Sequence, residues 1–196
     1  MNPRLEAAAS QIGVSLDAGM RGRLATLGTW LATEAIVAGG LGPNEAASIE
    51  ERHLADSMLF AAGWVVPPSV CWDLGSGAGL PGLVLACIWP QTKLVLVDSS
   101  TRRCELAQRG ARVVGVEVQL QLSQIEELEG PFEAIVSRAA IPATDFGPIL
   151  RRLLAPGGVA VISGGSDRVP AGFERLRFAG DEFFDRAARL LIMRSP

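Results

Sequence analysis

Val70-Cys71-Trp72-Asp73-Leu74-Gly75-Ser76-Gly77-Ala78-Gly79-Leu80-Pro81-Gly82 is the stretch on which the fold turns. A short apolar run gives way to an acid and then to four glycines, which reads as a buried strand entering a tight loop. Glycine tolerates positive φ there and lets a ligand approach bare backbone. Pro81 suits the first turn of a helix, where its missing N–H would have no partner anyway. The stretch therefore predicts strand, glycine loop and helix start.

A second apolar strand, Lys93 to Asp98, ends in an acid 25 residues after Asp73, about where a nucleoside-binding βαβ unit places its ribose-binding carboxylate. Two readings compete. Gly77, Gly79 and Gly82 fit the dinucleotide pattern G-x-G-x-x-G, whereas Asp73, Gly75, Gly77 and Gly79 fit acid-x-G-x-G-x-G, the loop of an S-adenosylmethionine fold. Asp73 favours the second, because S-adenosylmethionine brings an ammonium group and a sulfonium but no pyrophosphate.

Outward from this unit, strands and helices alternate: a helix over Thr101 to Val113, a third strand over Val114 to Leu120, a polar turn at Ser123 to Glu127, and a fourth strand over Phe132 to Val136. A helix from Phe146 to Leu154 and a fifth strand from Val159 to Ile162 follow. Phe173 to Phe178 and Ala188 to Met193 close the chain as an antiparallel pair. The fold class expected is α/β, a Rossmann-like sheet with helices on both faces. Residues 1–66 read as an N-terminal helical extension and 67–196 as the Rossmann-like domain. In the extension Met20, Leu24, Leu27 and Leu31 make one apolar helical stripe, and a second helix runs from Glu45 to about Ala62. Its second half sets His53, Asp56 and Ser57 on one face.

Composition narrows the function. The chain of 196 residues is 48% hydrophobic and 20% charged, with no apolar run long enough to span a bilayer and no signal-peptide core near Met1, so a cytoplasmic protein is expected. Cys71, Cys87 and Cys104 lack metal-type spacing and there is a single histidine, so no metal site is expected. The absence of tyrosine removes the Tyr-x-x-x-Lys pair of short-chain dehydrogenases, and Ser76 lies in no nucleophile elbow. A net charge of −3 argues against broad affinity for nucleic acid, yet all but Lys93 of the 18 basic residues are arginine, the better phosphate and base binder.

These residues resemble the bacterial 16S ribosomal RNA guanine-N7 methyltransferases, the glucose-inhibited division protein B family. The counterparts run in order: Arg52, His53, Asp56 and Ser57 for R-H-x-x-D-S, Asp73 to Gly82 for the loop, Asp98-Ser99 at the strand end, Ser123 to Glu127, and Ser137-Arg138-Ala139 for S-R-A. The resemblance implies S-adenosylmethionine as cofactor, held by Asp73, Gly75, Gly77, Gly79, Leu80 and Asp98, with Ile125 and Glu126 edging the adenine and Arg138 completing the pocket. It implies 16S rRNA or the small ribosomal subunit as partner; a monomer with no membrane partner is expected besides. Guanine N7 carries a free lone pair and no proton, so that acceptor needs no general base, whereas an oxygen acceptor would make His53 paired with Asp56 the candidate base. Arg138 either serves the site or pairs with Glu133 or Asp145 at the surface.

The chain departs from the family on the acceptor side. Ala35 to Gly42 replaces an asparagine-leucine-threonine segment, Ser163-Gly164-Gly165 replaces a lysine-glycine pair after the fifth strand, and Gln124 stands for an arginine. Two alternatives therefore stay open: a cofactor-binding regulatory or interaction protein that has lost RNA methylation, and a small-molecule methyltransferase.

Overall fold

Five parallel strands follow from the apolar runs: β1 (Val70–Leu74), β2 (Lys93–Asp98), β3 (Val118–Leu122), β4 (Phe132–Ser137) and β5 (Leu154–Ser163). Two more, β6 (Glu174–Arg175) and β7 (Leu190–Arg194), complete one sheet in the order β3-β2-β1-β4-β5-β7-β6. β7 pairs antiparallel with both β5 and β6. The computed structural model describes residues 2–164, 168–179 and 189–196. Ala188 and Gly165, which the sequence reading included in the last strand and in the turn after the fifth, lie outside the described residues.

The period-two alternation of each strand divides the core. Leu94, Leu96, Ala134, Val136, Val159, Val161 and Ile192 face one side, where α1 (Pro3–Gln11), α2 (Ala18–Trp30), α4 (Gly82–Ile88) and α5 (Thr101–Val114) pack. Val95, Val97, Ile135, Ala160, Ile162, Leu191 and Met193 face the other, covered by Phe146, Leu150 and Leu153 of α6 (Ala143–Leu153). The expected stripe of the extension is real: Leu24, Leu27 and Leu31 are fully buried, each contributing roughly 1.5–3 kcal/mol through burial. They join the same core as Leu83, Leu85 and Ala107, so the extension rests directly on α4 and α5.

Three expected boundaries move, each for a local reason. The segment Glu45 to Ala62 is helical but not one α-helix: a 3₁₀ turn (Ala46–Ser48) leads into a π-helical run (Ile49–Ala55), α3 (Asp56–Met58) and a second 3₁₀ turn (Leu59–Gly63). The third strand begins at Val118 rather than Val114, because α5 runs on to Val114 and ends at Gly115 in the left-handed conformation, φ 74°. The fifth strand starts at Leu154, carrying Pro156-Gly157-Gly158 inside an irregular opening where its register with β4 shifts. β6 and β7 supply the expected antiparallel pair over shorter spans.

Candidate functional site at the carboxyl edge of the sheet

In an open parallel sheet the ligand crevice lies outside the carboxyl ends of the strands, where the order reverses; here β1 stands between β2 and β4. The backbone N–H groups of Gly75 and Ser76 both donate to the Val97 carbonyl, each at 2.9 Å, pinning the glycine loop to the end of β2. Gly75, Gly77 and Gly79 all hold positive φ, at 71°, 58° and 90°. Their surroundings differ. A side chain at Gly75 would overlap the Ala140 side chain, and one at Gly79 would meet Leu83 Cδ1 at 2.6 Å, so these two glycines serve close packing within the chain. Nothing lies within 4 Å of a Cβ built at Gly77, which leaves open space over the middle of the loop.

Two carboxylates frame that space. Asp98 Oδ2 accepts from the Gly77 N–H at 2.9 Å and Oδ1 from the Ser100 N–H at 3.0 Å, with Arg103 Nη1 at 3.9 Å from Oδ2. A carboxylate offers about four lone-pair sites, so two acceptor positions of Asp98 remain for a ligand's hydroxyls. Asp73 is fully buried. Its Oδ2 accepts from the Gly82 N–H at 2.7 Å, an approach that needs glycine because a Cβ there would sit 2.7 Å from the same oxygen. Its Oδ1 has no partner, and burial lifts its carboxyl to about 7 against the Gly82 hydrogen bond and the Arg138 charge. An unmatched buried carboxyl oxygen beside an open glycine loop fits a ligand that brings a cation and ribose hydroxyls, as S-adenosylmethionine does.

The third wall comes from β4. Ser137 Oγ donates to the Leu74 carbonyl at 2.7 Å, tying the ends of β4 and β1 together, and Ala139 adopts a positive φ of 54° with its N–H donating to Ser163 Oγ at 2.7 Å. Such backbone outliers in non-glycine residues cluster at functional sites. Between these anchors Arg138 turns toward the extension, where Nη1 donates to Ser57 Oγ at 3.0 Å and Nη2 lies 2.6 Å from His53 Nδ1. His53 Nε2 in turn faces Glu45 Oε2 at 3.1 Å, and Glu45 also receives Arg52 Nη1 at 3.2 Å and Ser48 Oγ at 3.1 Å. Burial first, then the Arg138 charge, push the imidazole below its usual pKa, so His53 is neutral near pH 7.

This geometry bears on two alternatives that the sequence left open. Arg138 pairs with neither Glu133 nor Asp145; its partners lie 81 and 85 residues away in sequence. His53 and Asp56 do not form an acid–base pair, because the guanidinium can only donate and therefore occupies the Nδ1 lone pair a base would use. Asp56 forms its ion pair with Arg4 instead, Nη2 to Oδ1 at 4.0 Å, and burial raises its carboxyl to about 6. Ile125 and Glu126 sit on a 3₁₀ turn (Ile125–Glu127) at the carboxyl end of β3, with Ile125 Cδ1 3.8 Å from the Cβ position of Gly75. Leu80 is buried at the loop. Three residues were given no site role by the sequence reading: Glu45, named only as a helix start, Ser163, named only as a departure from the family, and Arg152, whose guanidinium holds the Leu128 and Glu126 carbonyls and so pins that turn. No periodicity marks any of them.

Elsewhere, a cleft of about 600 Å³ opens at the amino-terminal ends of β2 and β3, lined by Arg23, Trp89, Lys93 and Val118. None of the residues above lines it. All three cysteines are free and buried. Among the described residues no group of His, Cys, Asp or Glu is placed to hold a metal, and no helix is long and apolar enough to cross a membrane.

Comparison with known proteins gives the chain a family. The family model for rRNA small subunit methyltransferase G matches residues 29–169. "Ribosomal RNA small subunit methyltransferase G" of Frankia alni is 37% identical over 144 residues, which cover 69% of this chain and 54% of that protein. Its namesake in Halorhodospira halophila is 37% identical over 110 residues, covering 55% and 52%. The chain thus spans about half the length of the curated relatives it matches. Among solved structures, the [4+2]-cyclase SpnF superposes with a TM-score of 0.54 at 19% identity, covering 72% of this chain and 81% of that one. The ribosomal protein L11 methylase of Lactobacillus delbrueckii does so with 0.53 at 21%, covering 72% and 78%. Those two likenesses concern the fold alone, which here is the Rossmann-like sheet with an added N-terminal helical layer.

Proposed function

Because the chain belongs to the rRNA small subunit methyltransferase G family, we propose that it transfers a methyl group from S-adenosylmethionine to N7 of a guanine in 16S ribosomal RNA, presented as RNA or within the small ribosomal subunit. The observation that carries the cofactor half is the open floor at Gly77, bounded by Asp98 and by the unmatched oxygen of Asp73. When bound, S-adenosylmethionine supplies an electrophilic methyl on a sulfonium. The chain's own residues hold and orient. Asp98 accepts from the ribose hydroxyls, Gly75 to Gly79 keep the loop low, Ile125 and Glu126 edge the adenine, and Asp73 answers the positive charge.

The acceptor half needs placement rather than proton transfer. Guanine N7 already carries the lone pair that would take the methyl as its bond to the sulfonium breaks and S-adenosylhomocysteine leaves, so the chain's residues need only hold acceptor and donor at attack distance, which contributes several kcal/mol of entropy already lost on binding, on the order of 7–11 in the best cases. That demand suits a site whose histidine has its base position occupied. Arg138, at the mouth between β4 and the extension, is the residue we assign to the guanine edge, where O6 is the natural acceptor for a guanidinium that leaves N7 free.

Asp98→Ala is expected to weaken S-adenosylmethionine by about 1–3 kcal/mol, the scale of lost charge-assisted hydrogen bonds. Because Asp98 also clamps the Gly77 and Ser100 N–H groups, the thermal midpoint should fall as well, and calorimetric titration must be read on folded protein. Unchanged affinity would remove Asp98 from the cofactor site. The function itself is tested by mapping N7-methylguanine in 16S rRNA from cells with and without the gene. Loss of one modified position in the deleted strain is expected. An identical methylation pattern would sink the RNA reading and favour a regulatory protein or a small-molecule acceptor.

A further inference from the structure

We propose that Glu45 is a positioning residue: its carboxylate fixes His53 as the Nε2–H tautomer and thereby seats Arg138 at the mouth of the glycine loop. The inference rests on the reading of Arg138 as an acceptor-side residue and adds to it the device that holds that arginine.

Donor and acceptor roles along the chain of contacts leave one consistent assignment. A guanidinium has five N–H donors and no acceptor, so the 2.6 Å contact between Arg138 Nη2 and His53 Nδ1 requires an unprotonated Nδ1. A neutral imidazole then carries its proton on Nε2, which lies 3.1 Å from Glu45 Oε2, a group that only accepts. Every polar atom of the relay is matched, and reversing any one role would set donor against donor or acceptor against acceptor. A second nitrogen whose hydrogen bond decides what the first can do is the usual means of fixing a histidine's working face.

The backbone is shaped for this relay. Glu45 sits immediately before the first 3₁₀ turn, and its carboxylate is held in place by Arg52 and Ser48. His53 lies within the π-helical run Ile49–Ala55. An i→i+5 run shifts side-chain directions away from the 3.6-residue rule, and such insertions recur at functional sites. Here it brings one imidazole nitrogen to a residue eight positions back and the other to a residue on β4. Ser57 holds only Nη1 of Arg138, so without His53 the second arm of the fork has no protein acceptor in the relay. The Ala140 that lies against Gly75 is two residues beyond Arg138, so the seat of Arg138 and the floor of the loop belong to one structural unit.

The chain has a single histidine, so its imidazole nitrogen signals in a ¹⁵N NMR spectrum belong to His53 without ambiguity. The wild-type protein is expected to show the Nε2–H tautomer. Glu45→Gln keeps an acceptor oxygen and should retain that tautomer and most of the activity. Glu45→Lys can only donate to Nε2, so the proton should move to Nδ1, where it opposes Arg138. We expect kcat for methyl transfer to fall about 100-fold with a much smaller rise in the S-adenosylmethionine Kd, less than the loss a wrong tautomer causes where histidine acts on substrate directly. Glu45→Leu, which adds no charge, should give a mixed tautomer and a fall of about 10-fold. The Nε2–H tautomer persisting in both Glu45→Lys and Glu45→Leu, or an inverted tautomer with wild-type kcat, overturns the proposal. A wild-type chain silent on ribosomal RNA overturns the acceptor reading instead, and the imidazole spectra, which need no acceptor, still decide whether Glu45 sets the tautomer.

Discussion

Arg138→Ala is expected to lower methyl transfer by about two orders of magnitude while the protein stays folded, the scale of losing one preorganised donor at a reacting centre. The side chain is half-buried, and burial pulls its pKa down while Asp56 and Asp73 support the charge. Its removal loses two hydrogen bonds, to Ser57 and His53, each contributing roughly 0.5–1.5 kcal/mol net. Relief of the guanidinium's own desolvation offsets part of that loss. For a chain of this length about 1 kcal/mol corresponds to roughly 2–4 °C, so the thermal midpoint should drop by a few degrees only. Arg138→Lys should rescue poorly, because one ammonium cannot reach both Ser57 Oγ and His53 Nδ1 with the planar fork's geometry. The readout is single-turnover methylation of 16S rRNA, normalised to the folded fraction. Wild-type rates in the alanine variant, or a loss that merely follows unfolding, would leave Arg138 as a brace between β4 and the extension and nothing more.

That arginine also marks where sequence reading stops. Its motif, S-R-A, is visible in the chain, and so are His53 and Ser57, because residue identity and order are properties of a string. What they touch is not. The contacts from Arg138 cross 81 and 85 residues, and the one from Glu45 to His53 runs through a segment whose helical period is not 3.6. Arguments that place i, i+3 and i+4 on a common face therefore put His53 beside Asp56, and the π-helical run turned it to Glu45 instead. The strand and loop elements were legible for the opposite reason: their signals are local. Unbroken apolar runs such as Leu94 to Val97, glycines at 75, 77 and 79, and an acid ending β2 each constrain a few residues of backbone. The same local logic misplaced β3, where Val114, Val116, Val118 and Leu120 continue an alternation that Gly115 interrupts physically by ending α5 in the left-handed region.

Gly75→Val is expected to abolish S-adenosylmethionine binding, and the structure gives two reasons that act together. Gly75 holds φ at 71°, where a β-branched residue is strained by roughly 1–3 kcal/mol. A Cβ there would also overlap Ala140 and come within 3.8 Å of Ile125 Cδ1. The loop has little freedom to retreat, since the Gly75 and Ser76 N–H groups are both bonded to the Val97 carbonyl. The valine must therefore displace the segment after Arg138, moving two walls of the site at once. Stability should fall with binding, by more than about 3 kcal/mol, so titration of this variant alone would not separate a blocked site from a damaged one. Gly77→Ala separates them. Its φ of 58° imposes a smaller strain on alanine, and nothing lies within 4 Å of the new methyl, so the fold should persist while the methyl occupies the floor where the ligand is placed. Calorimetry should show no detectable S-adenosylmethionine binding for Gly75→Val and a clearly weakened one for folded Gly77→Ala. Wild-type affinity in both would mean that the ligand does not run over this loop, and tight binding of NAD by the wild-type protein would return the glycine pattern to its dinucleotide reading.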